Sequence, residues 1–442
     1  MFRFPPEILS HIFSKAVPGE DRYRDFRECI KPPLRISQVC RVWRDIAISD
    51  GRLWSYLFID RNTIRFYKHA KEVFDTWLER SKGASLNYRL EFDHGKRFEE
   101  AEFVALDMIK ALVSQQHRWG NINIDWYPSP YVDEAPDLCL ANMPMLTSLS
   151  LSVTRHSRFS IDFSKSSRLR AVKLHGDFDL SPCDESLRLL RSPSTLTFLR
   201  ACLRDGAIRS CLNFMEAAPF LEELHITFHG PVELPTSLQS EHESPVLVPA
   251  LRRLILSGDC RSPESLLDYV ILPSLNALML WGEALVNFFK RSLPPLTFLV
   301  INYEITREDT VLEILRLLPT LKDFRYLFAS VSTLLFRELT VADHRDLVCP
   351  ALETLYLQST VFSEDRALCI EALISMLESR AQIKESFRTL KFIRGGQQST
   401  KLVSALRDTS ECWEYLEQAG LFVSPFAELP PFPSSDISIQ AK

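Results

Sequence analysis

The stretch Pro249-Ala250-Leu251-Arg252-Arg253-Leu254-Ile255-Leu256 contains the unit from which most of this chain is built. Leu254 and Leu256 lie at i and i+2, so they point to the same face of a β-strand. Leu251 fills the turn into that strand, and Pro249 ends the helix before it. The stretch therefore predicts a short strand with one buried face, which the chain enters from a helix.

The same spacing recurs on both sides of this stretch. The first apolar residue of each copy lies at position 146, 169, 196, 221, 251, 275, 296, 321, 352 or 387, which gives steps of 23, 27, 25, 30, 24, 21, 25, 31 and 35 residues. A unit of this size cannot bury its own apolar face, so neighbouring units stack and share one core. We therefore predict a strand-and-helix array over residues 144–400.

Residues 58–143 continue the pattern upstream in a looser form. Strands are predicted at 54–59, 86–92 and 119–124 with helical spacing between them, so this segment is assigned to atypical leading repeats. Downstream, residues 401–421 are predicted to form a helix that caps the open end of the array. Residues 422–442 are rich in Pro and Ser and are predicted to be a disordered tail.

Residues 1–57 have a different organisation, with two predicted amphipathic helices. Pro5 and Pro6 favour the start of the first, whose apolar face is formed by Ile8, Leu9, Ile12 and Phe13. The apolar face of the second is formed by Ile36, Val39, Cys40, Trp43, Ile46 and Ala47. Gly19–Pro32 is predicted to be an exposed connection between them, with room for a helical turn of its own. Two such helices carry more apolar surface than a unit of this size can bury, so part of it is expected to face a partner.

The order of these N-terminal motifs resembles an F-box, particularly the form found in mushroom-forming fungi. The motifs are PPEIL at residues 5–9, IF at 12–13, VCRVWRDIA at 39–47 and LW at 53–54, with Phe4 where the family usually has Leu. The resemblance implies that residues 1–57 dock a Skp-type adaptor and, through it, a cullin. The residues to which it assigns adaptor binding are Pro5, Glu7, Ile8, Leu9, Ile12, Phe13, Val39, Cys40 and Trp43.

The array itself resembles leucine-rich repeats of the irregular intracellular type. The asparagine that usually follows the leucines in that family is mostly missing here, and the last steps are long. The resemblance implies an α/β chain, in which a small all-helical F-box precedes an irregular leucine-rich-repeat solenoid, a curved array of strands and helices.

Residues between the inward leucines are predicted to face outward on the concave side of such an array. The candidates for target binding there are Arg253, Ile255, Met279, Trp281, Phe298, Val300 and Tyr356. Five of them, namely Ile255, Met279, Trp281, Phe298 and Val300, are expected to form an exposed apolar patch of the kind that binds proteins. The alternative is that an irregular register or the C-terminal tail buries these side chains.

Bulk composition restricts the class of partner and the compartment. The net charge of −5 provides no basic excess for nucleic acid. The ten cysteines are scattered without C-x-x-C spacing, which is typical of buried thiols in a reducing compartment. Neither a signal peptide nor an apolar run long enough to cross a membrane is apparent. The chain is therefore expected to be cytoplasmic or nuclear, without nucleic-acid or membrane partners.

The sequence offers little for catalysis. The glycine-rich phosphate loops and the G-x-S-x-G nucleophile motif are missing from it. His225 and His229 have metal-like spacing without an obvious third ligand, and Cys40 is expected to pack on the apolar face of the second helix. We therefore expect a chain without enzymatic activity, metal or cofactor.

The hypothesis is a substrate-recognition subunit of an SCF-type cullin–RING ubiquitin ligase, which holds an unknown target protein. One alternative is a leucine-rich-repeat scaffold without a role in degradation. A second is an enzyme of unrecognised type, which would need a polar pocket.

Overall fold

The computed structural model divides the chain into two compact units, Met1–Phe220 and Leu221–Lys442. The residues that it describes are 4–17, 26–66, 69–92, 99–126, 138–153, 159–161, 163, 165–175, 195–203, 211–212, 215–216, 218–228, 245–258, 263–280, 286–302, 308–327, 330–341, 347–358, 361–362, 366–381, 389–393 and 422–424.

The N-terminal helical module, residues 4–54, contains three α-helices and a 3₁₀ turn. They are α1 (Pro6–Ala16), α2 (Phe26–Val39), α3 (Arg41–Ser49) and the turn Gly51–Trp54. Two predictions were wrong. The second helix is divided at Cys40, whose extended backbone (φ −158°, ψ 173°) separates α2 from α3. The connection Gly19–Pro32 is helical from Phe26 onward, and Phe26 and Cys29 are buried.

The break at Cys40 was missed because α2 and α3 keep the same apolar spacing. The apolar spacing of residues 36 to 47 continues across the break, so periodicity alone could not locate it. The second error arose because a segment with charges of both signs is typical of an exposed connection. Its composition gave no sign that Phe26 and Cys29 are buried. Pro32 and Pro33 also lie inside α2, where prolines usually end a helix.

The rest of the first unit alternates strands with returning segments. Its elements are β1 (Tyr56–Asp60), α4 (Arg61–Phe66), α5 (Ala70–Arg80), β2 (Leu86–Phe92), α6 (Glu99–Val113), a 3₁₀ turn (Gln116–Arg118), β3 (Trp119–Trp126), β4 (Leu138–Leu140), β5 (Ser148–Val153), β6 (Phe159–Ile161), β7 (Ala171–His175) and β8 (Phe198–Leu203). The main strands follow the order β1-β2-β3-β5-β7-β8 in one parallel sheet. The predicted leading repeats are thus continuous with the array, and residue 57 falls inside the first strand.

The second unit repeats this arrangement. Its elements are β9 (Glu223–Phe228), β10 (Val246–Leu247), β11 (Arg253–Gly258), a 3₁₀ helix (Pro263–Tyr269), β12 (Val270–Ile271), β13 (Ala277–Leu280), α7 (Val286–Ser292), β14 (Phe298–Asn302), α8 (Glu308–Arg316), β15 (Asp323–Leu327), β16 (Ser330–Val331), α9 (Thr333–Leu339), β17 (Thr354–Gln358), β18 (Val361–Phe362), α10 (Arg366–Ala381), β19 (Thr389–Ile393) and β20 (Phe422–Ser424). Its main strands pair in parallel in the order β9-β11-β13-β14-β15-β17-β19-β20.

The leucine positions face the interior as predicted. Leu251, Leu254 and Leu256 of the opening stretch are each 0 % exposed, and the equivalent residues of the other described copies are buried in the same way. Backbone hydrogen bonds tie each turn to the next: Arg252 N donates to Glu222 O (2.8 Å), and Asn276 N donates to Arg252 O (2.9 Å). Each unit therefore obtains its core and its backbone partners from its neighbours.

Two predictions concern the end of the chain. The capping helix predicted at 401–421 lies outside the described residues. Within the predicted tail, Phe422–Ser424 form β20, which pairs with β19 from Thr389↔Phe422 to Lys391↔Ser424. A short apolar segment inside a Pro- and Ser-rich context was sufficient to add a strand to the sheet.

Candidate functional site

The helical module exposes apolar side chains on three consecutive segments. Ile8 and Ile12 lie one turn apart on the same side of α1 and are 48 and 47 % exposed, and Phe4, just before the helix, is 59 % exposed. Val39 at the end of α2 and Val42 in α3 are each 59 % exposed. We call these five residues the apolar face of the module. Exposed large apolar side chains at this density are typical of a surface that binds another protein.

The core of the module lies beneath this face. Phe13 is 2 % exposed, and its ring packs against that of half-buried Trp43 with centroids 4.7 Å apart. Ile46 and Ala47 of α3 complete the buried side. The expectation that Phe13 belongs to the adaptor-binding surface is therefore wrong, because its ring is occupied inside the module.

The remaining predicted adaptor residues lie at or near the surface. Pro5 and Glu7 are exposed, and Leu9 is partly buried. Cys40 is exposed at the break between α2 and α3, where packing on an apolar face had been predicted. Sequence reasoning did not assign Val42 to the surface, because its position between two motif residues gave no separate signal.

A polar cluster fixes the end of α3 against α1. Asp50 accepts hydrogen bonds from Ser10 Oγ and from Arg52 Nε (2.9 Å) and Nη2 (2.8 Å), and Arg52 Nη2 also donates to Ser10 Oγ (2.9 Å). Burial raises the pKa of Asp50, but the hydrogen bonds and the positive charge of Arg52 outweigh it, so the pKa lies below its ordinary value. The carboxylate is thus ionised and holds the two segments together at neutral pH.

The module is joined to the first strands without a flexible linker. Trp54 is fully buried, donates from Nε1 to Ala47 O (2.7 Å) and packs edge-on against Trp77 of α5 at 4.7 Å. Arg80 stacks over the Trp54 ring at 4.5 Å. A side chain at Gly51 would collide with the carbonyl oxygen of Ser81, so glycine permits this close approach. The apolar face therefore has a fixed position relative to β1 and β2.

The predicted target-binding residues of the second unit are only partly exposed. Phe298, Val300 and Tyr356 are 7, 3 and 1 % exposed and share an apolar cluster with Ala277 and Leu327. Phe298 and Val300 therefore do not belong to the predicted exposed apolar patch, and Tyr356 does not face outward as predicted. They are buried by residues of neighbouring strands in regular register, which is neither of the two causes named in the alternative, an irregular register or the C-terminal tail.

Cross-strand register explains how the cluster forms. Arg325 of β15 lies opposite Tyr356 of β17, and its guanidinium stacks over the rings of Phe298 (4.5 Å) and Tyr356 (5.5 Å). Asp323 accepts from Arg325 at 3.0 and 3.1 Å. The charge is paired and the rings are covered, so this part of the face is packed.

Ile255, Met279 and Arg253 retain partial exposure. Met279 packs against the edge of the apolar cluster, and Arg253 Nη1 donates to Glu223 Oε1 at 3.1 Å. Trp281 lies outside the described residues.

The described part of the chain contains neither a metal-binding cluster nor a membrane-spanning helix. Among the described side chains, no group of three or more His, Cys, Asp or Glu is arranged to hold a metal ion. His225 lies in β9, and His229 lies outside the described part of the chain. Within the described ranges, every helix is too short or too polar to cross a bilayer.

Comparison with known proteins bears on the N-terminal module. Residues 1–60 match the family model described as F-box-like. No curated protein matches the chain. The match covers all three helices, the apolar face and the buried tryptophan that joins the module to the first strand. Residues 1–60 of this chain therefore form an F-box-like domain.

Proposed function

We propose that this chain is a substrate-recognition subunit of an SCF-type ubiquitin ligase. F-box domains generally bind Skp-type adaptors, so the F-box-like domain would dock such an adaptor and, through it, a cullin. The strand array would hold the target protein. Transfer of ubiquitin would then follow from proximity, because the array keeps the target close to the charged enzyme.

The observation that carries this proposal is the apolar face of the F-box-like domain. Ile8 and Ile12 are about half exposed in the isolated chain, and burial of one such side chain contributes about 1.5–3 kcal/mol. Docking through several of them provides enough free energy for a stable complex. Since Trp54 fixes the domain against α5, a docked adaptor would also have a defined orientation relative to the first strands.

The experiment is co-purification of the full chain with the Skp-type adaptor and cullin of the same host. Ile8→Asp combined with Ile12→Asp should weaken adaptor binding by about a hundredfold or more, since two buried apolar contacts are replaced by charges that must be desolvated. Isothermal titration of the adaptor into each purified variant measures this loss.

A matched control uses the same chemical change elsewhere. Phe103 in α6 and Leu368 in α10 are 61 and 50 % exposed, so Phe103→Asp with Leu368→Asp also replaces two exposed apolar residues. We expect this control to bind the adaptor like the unmodified chain. Unchanged binding by the Ile8→Asp/Ile12→Asp variant would contradict the proposed docking face.

The second candidate function is a repeat scaffold that binds the adaptor without directing degradation. Co-purification of the adaptor without the cullin would favour it. In both cases we propose a non-catalytic chain that binds no metal or cofactor and acts in the cytoplasm or nucleus. The array, with its inward leucines and the polar outward strand positions of its first unit, is consistent with a leucine-rich-repeat role in target binding.

A further inference from the structure

The strand face opposite the leucines is largely polar and open in the first unit. Cross-strand pairing brings one residue of each main strand into a single row on this face. The row consists of Phe58, Arg89, Asn123, Ser150, Lys173 and Arg200. Lys173 lies directly opposite Arg200, and Ser150 lies directly opposite Lys173.

The cations on this face differ in their pairing. Arg89 forms an ion pair with Glu91 on its own strand. In the second unit, the equivalent face pairs Arg253 with Glu223 and Arg325 with Asp323. Among the described Lys and Arg side chains on these two faces, Lys173 and Arg200 are the ones without a carboxylate partner.

Their arrangement is unfavourable for the free chain. Like charges directly opposite each other on neighbouring strands are destabilising, and both side chains are exposed. Among the described acids of the first unit, Asp125 is the nearest in register on the same face, and it lies two strands and two residues from Lys173, at about 10 Å or more. At that separation, salt screens most of its attraction. Among the described residues of the first unit, the pair therefore lacks a nearby counter-charge.

The side chains of β5 that neighbour the two cations are small. The outward residues of β5 are Ser148, Ser150 and Ser152, and Ala171 lies opposite Ser148. Phe198 on the neighbouring strand is 9 % exposed, and Lys173 Nζ lies 5.4 Å from its ring centroid. Small hydroxyl-bearing residues beside two exposed cations provide hydrogen-bond donors for the carboxylate oxygens of an extended peptide without bulky side chains in its way.

We propose that Lys173 and Arg200, with the serines of β5, bind an acidic extended segment of the target protein through its carboxylates. The inference rests on the proposed function, in which the array holds a target. Charge complementarity carries it: two adjacent unpaired cations stand out on a chain whose net charge is −5. An acidic segment would remove the repulsion between Lys173 and Arg200 and would form charge-assisted hydrogen bonds with both.

The test measures binding of a fluorescein-labelled oligo-glutamate peptide to the full chain by fluorescence anisotropy. A length of about eight residues is enough to cross the strands of the first sheet. Lys173→Gln with Arg200→Gln should weaken binding by about tenfold. An oligo-lysine peptide of the same length should not bind, and added salt should weaken the glutamate complex.

The matched control removes two other exposed cations. Lys110 in α6 and Arg168 before β7 are exposed and lie outside the sheet face, so Lys110→Gln with Arg168→Gln causes the same change in net charge. This control should bind the glutamate peptide like the unmodified chain. Equal binding by all three proteins would overturn the proposal. Binding of a phosphoserine peptide without binding of the glutamate peptide would overturn its carboxylate chemistry.

Adaptor co-purification with the same variants separates this inference from the proposed function. We expect Lys173→Gln/Arg200→Gln to retain the adaptor, because both residues lie outside the F-box-like domain. If the peptide binds but the adaptor does not, the acidic-segment surface stands and the ligase role falls. If the adaptor binds but peptide affinity does not depend on Lys173 and Arg200, the ligase role stands and this inference falls.

Discussion

At the scale of single residues, α1 carries both a buried side chain that stabilises the domain and exposed side chains that are available to a partner. Phe13 is buried against Trp43, whereas Ile8 faces solvent. Both were assigned to one surface from the sequence, because helical spacing places residues on a face without showing how wide the buried part of that face is. The two substitutions Phe13→Ala and Ile8→Ala should therefore have different effects.

Phe13→Ala should lower the free energy of unfolding by about 3–5 kcal/mol, because it leaves a cavity against Trp43. Ile8→Ala should leave it nearly unchanged. Thermal unfolding of the full chain, followed by circular dichroism and tryptophan fluorescence, measures both effects. Equal destabilisation by the two substitutions would show that Ile8 also belongs to the core.

Asp50 makes the stability of the same domain depend on pH. Its pKa is lower in the folded chain than its ordinary value near 4, so its stabilising contribution is fully present above about pH 4 and is lost as pH falls through the folded pKa. Asp50→Asn should cost about 1–2 kcal/mol at neutral pH. Melting temperatures at a series of pH values should show this cost shrinking in acid. A cost that does not change with pH would contradict the conclusion that ionised Asp50 stabilises the domain.

At the scale of elements, α10 is attached to the chain before β17 by one buried arginine. Arg380 is 0 % exposed and donates to Leu339 O (2.7 Å), Val348 O (2.6 Å) and Cys349 O (3.1 Å). Burial lowers the pKa of Arg380 to about 10, so it remains protonated at neutral pH. Cys349 needs a left-handed backbone (φ 48°), and these bonds help to hold it there.

Arg380→Met should destabilise the second unit by about 3 kcal/mol or more, because three buried carbonyl oxygens lose their donor. Arg380→Lys should recover little of this stability, since a single ammonium group lacks the planar guanidinium that reaches all three carbonyl oxygens. Exposed Arg337 on α9 provides the control, and Arg337→Met should leave the melting temperature unchanged. A stable Arg380→Met variant would show that water replaces the guanidinium.

At the scale of the whole molecule, the F-box-like domain also protects the start of the array. Trp54 covers Trp77, and β1 pairs along the full length of its strand with β2. A chain that begins after Asp60 would lose both, leaving β2 as an open edge and Trp77 uncovered.

We therefore predict that this truncated chain aggregates. Loss of the buried surface of Trp54 alone would cost about 4–6 kcal/mol. Size-exclusion chromatography should show the truncated chain in large species and the Ile8→Asp/Ile12→Asp variant as a single folded species. A soluble truncated chain with an unchanged melting temperature would show that the F-box-like domain does not stabilise the start of the array. The point variant is accordingly the better control for adaptor binding.

The sequence by itself determined the features that depend on local spacing. Leu251, Leu254 and Leu256 define an inward strand face, because residues at i and i+2 share a side wherever the strand lies. The order of the motifs from Pro5 to Trp54 indicated the F-box-like domain through its resemblance to that family. These patterns depend on positions close in the chain, so no knowledge of partners was needed.

Tertiary structure alone decided which outward residues are covered and which are free. Phe298, Arg325 and Tyr356 are distant in sequence, and only strand register stacks them into a buried cluster. Register also places Lys173 opposite Arg200, with no ion pair to either among the described residues, and no local pattern shows this relation. The physical reason is that burial and charge pairing on a sheet depend on neighbours across strands, which the chain brings together only when it folds.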